Sequence, residues 1–403
     1  MRWNMKSISK AAAGVKVSAT VAVDTRAKQM KAEGLNVLSF AAGEPDFNTP
    51  QHVKQAGIQA IIDNHTRYTP AVGMLPLKQA VAARIKEDWG AEYSVDEIVV
   101  SSGAKHVVFL ALAALIDPGD EVIVPTPCWP SYFEMVSMLH GVSVPVYGDE
   151  AHGFKISPRQ LEAAITDKKT KAIMLNNPSN PSGMLYSKAE LEELCRVCVE
   201  HDLYIISDEV YYKLVYEGAE FCSVSALGEK VKERSIVIAG VSKSYCMTGW
   251  RIGYSAAPLP IAKAMASYAS NSTGSPSTIS QYAALTALNG PQSFVDDMLR
   301  EYKARRDYMH ARINAIDGLS CIMPQGAFYV MMNIEKLIGK RLCGRIINSD
   351  MDFASAFLES CLVAVVPCAG FGIDNFIRWS YAASMEDIEK GMDLLEKFVT
   401  DCE

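Results

Sequence analysis

Between residues 97 and 253 the chain alternates short apolar, β-branched runs with longer helix-forming stretches. The runs 97–101 (EIVVS), 121–125, 171–175 (KAIML), 204–207 (YIIS) and 235–239 (SIVIA) read as strands. They are apolar at consecutive positions, the pattern of a strand covered on both faces. Helical segments such as 103–116 and 188–200 separate them. Repeated strand–helix–strand units with right-handed crossovers imply an α/β fold with one doubly wound, mostly parallel sheet.

The two ends of the chain differ from this middle. Residues 1–47 hold a short helical stretch and a Gly-Glu-Pro turn. After Pro291 come a long charged helix (294–316), a run at 319–322, a Pro-Gln-Gly turn and a run at 327–332. The expected division is a large domain over 48–290 and a smaller α+β domain from 1–47 and 291–403. A chain of 403 residues is long enough for both.

Charge and composition narrow the function classes. The net charge is −7 and no run of five Lys/Arg occurs, so no nucleic-acid partner is expected. The longest strongly apolar run, 107–116, is too short to span a bilayer, and no apolar stretch follows the opening residues as a secretory leader would require. The ten cysteines are scattered; Cys195 and Cys198 form one C-x-x-C without a second pair, and the seven histidines lack ligand spacing. The expectation is a cytoplasmic protein with reduced thiols, no metal and no membrane contact.

In an open α/β sheet, ligands bind beyond the carboxyl ends of the strands. Four segments follow strands there. Ser102-Gly103-Ala104-Lys105 opens a helix, as a phosphate cradle or as a simple tight turn. Asn176 to Gly183 carries two Asn-Pro-type turns, which could be punctuation alone. Asp208-Glu209-Val210-Tyr211 places an acid where helix caps are common. The fourth, Gly240 to Gly253, holds Lys243 between small residues after a buried strand, where desolvation lowers an amine's pKa and makes it nucleophilic. A lysine able to condense with an aldehyde, an acid for a pyridinium N–H and a phosphate cradle together fit pyridoxal 5′-phosphate.

The segment from Gly240 to Gly253 resembles the lysine-site signature of the class I aminotransferases of pyridoxal-phosphate fold type I. Asn180-Pro-Ser-Gly183, Ser207-Asp208-Glu-Val-Tyr211, Gly43-Glu-Pro-Asp-Phe47, Arg67-Tyr68-Thr-Pro70 and Arg378-Trp-Ser-Tyr-Ala382 resemble the same family, in the same order. The likeness runs from about Ser7 to the C-terminus and looks closest to the bacterial-type aspartate aminotransferases. Two positions depart from the usual pattern: Cys246 replaces a common Ala or Ser, and Gly240 stands where some relatives carry a phosphate-contacting Ser.

The resemblance implies roles residue by residue. Lys243 binds the cofactor covalently and shuttles a proton. Asp208 pairs with the ring nitrogen, Tyr211 and Asn180 contact the phenolic oxygen, and Trp129 stacks on the ring. Gly103, Ala104 and Arg251 hold the phosphate, and Tyr68 reaches the phosphate of the other subunit of a homodimer. Arg378 clamps the substrate α-carboxylate, a bidentate geometry lysine cannot supply, and the Gly43 backbone closes over it. Lys105, aided by Ser18-Ala19-Thr20, takes a second carboxylate. The implied reaction is ping-pong transfer from L-aspartate to 2-oxoglutarate, giving oxaloacetate and L-glutamate, with prephenate as a further keto acid. The alternatives are transfer from neutral or aromatic amino acids, a lyase of the same fold, or a module of a transcription regulator, for which a DNA-binding segment is expected and none is evident.

Overall fold

The computed structural model describes residues 7–9, 13–14, 19–166 and 168–400. Seven strands form the central sheet: β1 (Ile98–Ser101), β2 (Glu121–Thr126), β3 (Val142–Tyr147), β4 (Thr170–Asn176), β5 (Tyr204–Asp208), β6 (Ser235–Gly240) and β7 (Gly253–Ala256). Their order is β1-β7-β6-β5-β4-β2-β3. Pairs among β2 to β6 are parallel, whereas β7 runs antiparallel to both neighbours.

The apolar runs have a direct cause. Ile98, Val100, Ile123, Ile173, Leu175, Ile205, Val237 and Ala239 enter one core with helices Leu75–Trp89, Lys188–Glu200 and Thr278–Asn289. The alternate residues Val99, Val122, Val124, Ala172, Met174, Ile206, Ile236 and Ile238 enter a second core with helices Ala104–Leu115, Ser131–Met138 and Leu259–Ser272. Successive side chains point to opposite faces, so both sets must be apolar. Each large aliphatic buried this way contributes about 1.5–3 kcal/mol.

Two strands depart from the sequence expectation. β3 is an edge strand with several partly exposed residues, and it carries Pro145, which only an edge tolerates. β7 is short and built from Gly, Tyr, Ser and Ala, without a β-branched run. The run at 319–322 forms no strand; only Ser320 bridges to Asn333. Cys195 and Cys198 are buried on the inner face of helix Lys188–Glu200, beside Leu191 and Leu194. Burial pushes both thiols well above their ordinary range, so they act as small apolar wall residues.

The C-terminal region builds an antiparallel sheet from β8 (Tyr329–Asn333), β9 (Val366–Pro367) and β10 (Phe376–Ser380), in the order β9-β10-β8. Helices Ser293–Ala315, Asp350–Cys361 and Met385–Thr400 cover it through Tyr302, Phe353, Phe357 and Phe398. The N-terminal segment joins this unit. Leu38–Ser39 pairs in parallel with Val363–Ala364, and Phe40 packs into the same core. Arg305, on the long helix, binds Asp46 at 2.9 Å and so anchors the Gly43–Phe47 turn. No described helix is long and apolar enough to cross a membrane.

Candidate active site

The structure carries β4, β5 and β6 one residue further than the apolar runs, to Asn176, Asp208 and Gly240. Their carboxyl ends open on a cleft of about 660 Å³. Gly43, Ala104, Lys105, Trp129, Asn180, Asp208, Tyr211, Lys243, Arg251 and Arg378 all line it. Gly103 lies just behind the wall, and Tyr68 is fully exposed outside the cleft. Ser18 and the side chains of Ala19 and Thr20 lie outside the described residues.

Asp208 ends β5, and the chain after it turns without entering a helix, so it caps nothing. Its Oδ2 accepts from the Tyr132 hydroxyl at 2.8 Å, and its carboxylate also accepts the Val210 N–H at 3.2 Å. Burial raises its pKa; the two hydrogen bonds and the Lys243 charge oppose that rise. The neighbouring Glu209 points elsewhere, accepting from Ser207 and from the Val224 N–H. Burial pushes that carboxyl up to about 8, so it is largely neutral at physiological pH.

The asparagine-rich turn is held by its own side chains. Asn176 Nδ2 donates to the Asp208 carbonyl at 2.9 Å while its Oδ1 accepts the Asn180 N–H at 2.7 Å. Asn177 Oδ1 accepts the Tyr186 N–H. Asn180 Oδ1 accepts from Arg378 Nη1 at 3.0 Å. The two Asn-Pro turns are therefore a bracket between β5 and β10 rather than loose punctuation.

Arg378, on β10, is almost fully buried. Its Nη2 donates to the Ala41 carbonyl at 2.8 Å, and the guanidinium lies 4.5 Å from the Tyr329 ring centroid. Among the described residues its Nε has no hydrogen-bond partner. A buried guanidinium with a donor to spare suits an incoming carboxylate.

Lys243 follows β6 and reaches the Gly43 carbonyl, to which its amine donates. Burial lowers its pKa to about 8; Glu44 and Asp208 resist that shift, while Arg378 and Arg251 reinforce it. Tyr211 is buried and shares a hydrogen bond of 3.0 Å with Tyr329.

The opposite wall is the start of helix Ala104–Leu115. Gly103 precedes it at φ +89°, a conformation L side chains resist, and a Cβ there would lie 2.3 Å from Arg251 Nη2. The glycine thus lets the guanidinium sit against the helix N-terminus, whose unpaired N–H groups suit an anion. Lys105 stands on the first turn with its amine 4.8 Å from the Trp129 ring centroid. Burial, then Arg251, lowers its pKa. Gly240 is no accident either: a Cβ there would press on the Ile252 carbonyl at 3.0 Å, where β6 meets β7. Cys246 lies outside the cleft lining, with its Sγ 3.6 Å from Met298 Sδ in the core.

Sequence reasoning missed several lining residues: Tyr132, Tyr329, Asn176, Glu44 and Thr248. Glu44 accepts from the Thr248 hydroxyl at 2.8 Å, tying the N-terminal turn to the Lys243 loop. Tyr132 lies one helical turn beyond Trp129, a spacing that could have revealed it.

The profile of the family described as aminotransferase class I and II matches residues 36–395. The aspartate aminotransferase of Bacillus subtilis (strain 168) is 43% identical over 393 residues, covering 97% of this chain and 98% of that protein. The aspartate/prephenate aminotransferase of Cereibacter sphaeroides is 41% identical over 396 residues, covering 98% and 99%. Among solved structures, the aspartate aminotransferase from Rhizobium meliloti superposes with a TM-score of 0.95 at 40% identity, covering 99% of this chain and 100% of that one. The sheet order, the cleft at its carboxyl edge and near-full-length similarity agree, and the chain belongs to the class I and II aminotransferase family.

Proposed function

We propose that the protein transfers the amino group of L-aspartate to 2-oxoglutarate with pyridoxal 5′-phosphate held covalently on Lys243. The observation that carries this reading is the pair of cations in one cleft, the buried Arg378 beside Asn180 and Lys105 beside Trp129. Two carboxylates on one small substrate need two cationic partners. Relatives named for aspartate and for aspartate and prephenate support the substrate class.

The residues suit the cofactor. Asp208 is a buried acid for a ring nitrogen, and Gly103, Ala104 and Arg251 make an anion cradle at a helix N-terminus. When bound, the cofactor supplies an aldehyde and an electron-withdrawing ring that weakens the substrate Cα–H bond. Lys243 is the acid–base group: its amine, lowered to about 8, would take the proton from the substrate Cα and, as the conjugate acid, give it to the carbon that carried the cofactor's aldehyde. Asp208 keeps the ring-nitrogen proton in place. Asn180 serves two groups, since its Oδ1 orients Arg378 and leaves Nδ2 for the phenolic oxygen beside Tyr211. The Gly43 backbone and Trp129 close the two sides of the cleft. The test is a donor screen with 2-oxoglutarate, with prephenate as a second acceptor; no turnover of aspartate or glutamate refutes the assignment.

Lys105→Ala separates acidic from neutral substrates. A buried ion pair broken on one side costs about 3–5 kcal/mol. An open cleft reduces that to about 2–3 kcal/mol, a loss of about 30- to 150-fold in kcat/KM for aspartate and glutamate. Alanine and aromatic donors should change far less. An equal loss for every donor assigns Lys105 to the cofactor instead.

The active unit in this reading is a homodimer, with domains divided at 48–290 and at 1–47 plus 291–403. Ile58, Ile61 and Ile62 of helix Gln51–Ile62, with Tyr68 and Leu75, leave large apolar side chains exposed on one chain, as an unpaired subunit face does. Light scattering should give twice 44.0 kDa. Tyr68→Phe should weaken cofactor binding about tenfold through one lost hydrogen bond to an anion. A fully active monomer rules the dimeric site out.

A further inference from the structure

Tyr132 belongs to no role derived above, yet it touches two of the groups that matter. It is 1% exposed and is the second residue of helix Ser131–Met138, just beyond Trp129. Its hydroxyl donates to Asp208 Oδ2 at 2.8 Å. Its ring meets Trp129 edge-on, with centroids 5.4 Å apart and planes at 90°. One side chain thus contacts both the acid and the aromatic plane.

We propose that Tyr132 is a positioning residue for amino transfer, whose hydroxyl holds the Asp208 carboxylate in one orientation and whose ring edge sets the plane of Trp129. The inference rests on the pyridoxal-phosphate reading and extends it. The geometry supports it in three ways. Asp208 is buried, so a carboxylate there needs donors to remain charged. Among the described residues two donate to it, Tyr132 and the Val210 N–H, and the Tyr132 bond is the shorter. A hydroxyl donating to a charged acceptor forms the stronger class of hydrogen bond. Burial and then the Asp208 charge hold the Tyr132 phenol far above its ordinary range, so it stays a donor at every working pH. The other ionisable groups near Asp208 are Lys243 after β6, Tyr211 in the following turn, and Glu209 next in sequence. Among the side chains of the described residues, Tyr132, and none of these three, is hydrogen-bonded to its carboxylate.

A tyrosine that merely fills the core would make the same contacts, so the test must read the coupling. Tyr132→Phe keeps the ring and removes the hydroxyl. A hydrogen bond to a buried charge changes an equilibrium by roughly ten- to a hundredfold. Without it Asp208 protonates more readily, and tight cofactor binding is lost at higher pH as pH falls. The acid limb of pyridoxal phosphate affinity, read by absorbance on mixing with apoprotein, should therefore move up by about one to two pH units. In the Asp208→Asn background the same replacement should have no further effect on affinity, because Tyr132 acts through that carboxylate. For aspartate, kcat should fall more than KM rises, since Tyr132 touches no substrate in this reading.

Three results overturn the proposal. An unmoved acid limb in correctly folded Tyr132→Phe, verified by near-ultraviolet circular dichroism, makes the hydroxyl a packing detail. Equal, additive losses in the wild-type and Asp208→Asn backgrounds place its effect elsewhere. If wild-type apoprotein binds no pyridoxal phosphate at Lys243, on borohydride trapping and peptide mapping, the function and the inference fall together; binding in wild type with either of the first two results removes only the role of Tyr132.

Discussion

Lys243→Ala is expected to lower amino transfer by about 10⁴-fold, the upper end of what a positioned acid–base group contributes, because the covalent attachment point is lost as well. The fold should survive. The lysine amine's hydrogen bond goes to the Gly43 carbonyl in the cleft, and Lys243 belongs to neither of the cores that flank the central sheet. The replacement should even stabilise the apoprotein at neutral pH. Burial lowers this amine from 10.5 to about 8. A depressed lysine gives the folded state stability above pH 10.5 that is lost as pH falls toward 8. Below that, a charged amine sits in a site that disfavours it, at a cost of about 2 kcal/mol once water in the cleft is allowed for. Removing the amine removes this cost, so the melting temperature of apo Lys243→Ala should exceed that of wild type at pH 7 and converge with it near pH 10.5. Retained turnover, or reduction by borohydride trapping the cofactor on another lysine, overturns the role of Lys243.

What was legible in the chain follows from where each residue's information resides. The strands β2, β4, β5 and β6 could be read because covering both faces demands an unbroken apolar run, and that demand is local. β3 could be read less directly, because Pro145 interrupts the alternation of Val142, Val144 and Val146, the mark of an edge strand rather than of a covered one. β7 could not, because its Gly and Ser residues answer to close approach by the neighbouring strand and helix rather than to strand propensity. The cleft divides in the same way. Lys243, Asp208, Asn180 and Arg378 stand in segments of recognisable composition, and the structure gathers them around one space. Tyr329 comes from the C-terminal sheet, and its partner Tyr211 from the turn after β5. Glu44 meets Thr248 across about half of the chain. Such residues gain their meaning from tertiary contact, and no local pattern carries it.

Asp208→Asn carries the second large effect. The change keeps the side chain's shape and leaves an oxygen to accept from Tyr132, so the fold and the bracket made by Asn176 should persist. The amide carries no charge, however, and cannot hold a proton on a ring nitrogen. A buried ion pair deprived of one partner loses about 3–5 kcal/mol. The expected fall in kcat is therefore about 150- to 5000-fold, with cofactor affinity reduced as well. Stability should move the other way. Burial first of all raises the Asp208 pKa, despite Tyr132, Val210 and Lys243. A raised carboxyl gives the folded state stability that is fully present below the unfolded pKa and lost as pH rises through the folded one. Once pH has risen past the folded pKa that stability is gone, so apo Asp208→Asn should melt above wild type there, and the difference should vanish in acid. Near-wild-type turnover would show that the charge of Asp208 is not needed for catalysis. A lower melting temperature at pH 7 would show that Asp208 is retained for folding rather than for the reaction. The expected combination, a more stable apoprotein with a much slower enzyme, is the signature of a charge buried for chemistry at the expense of the fold.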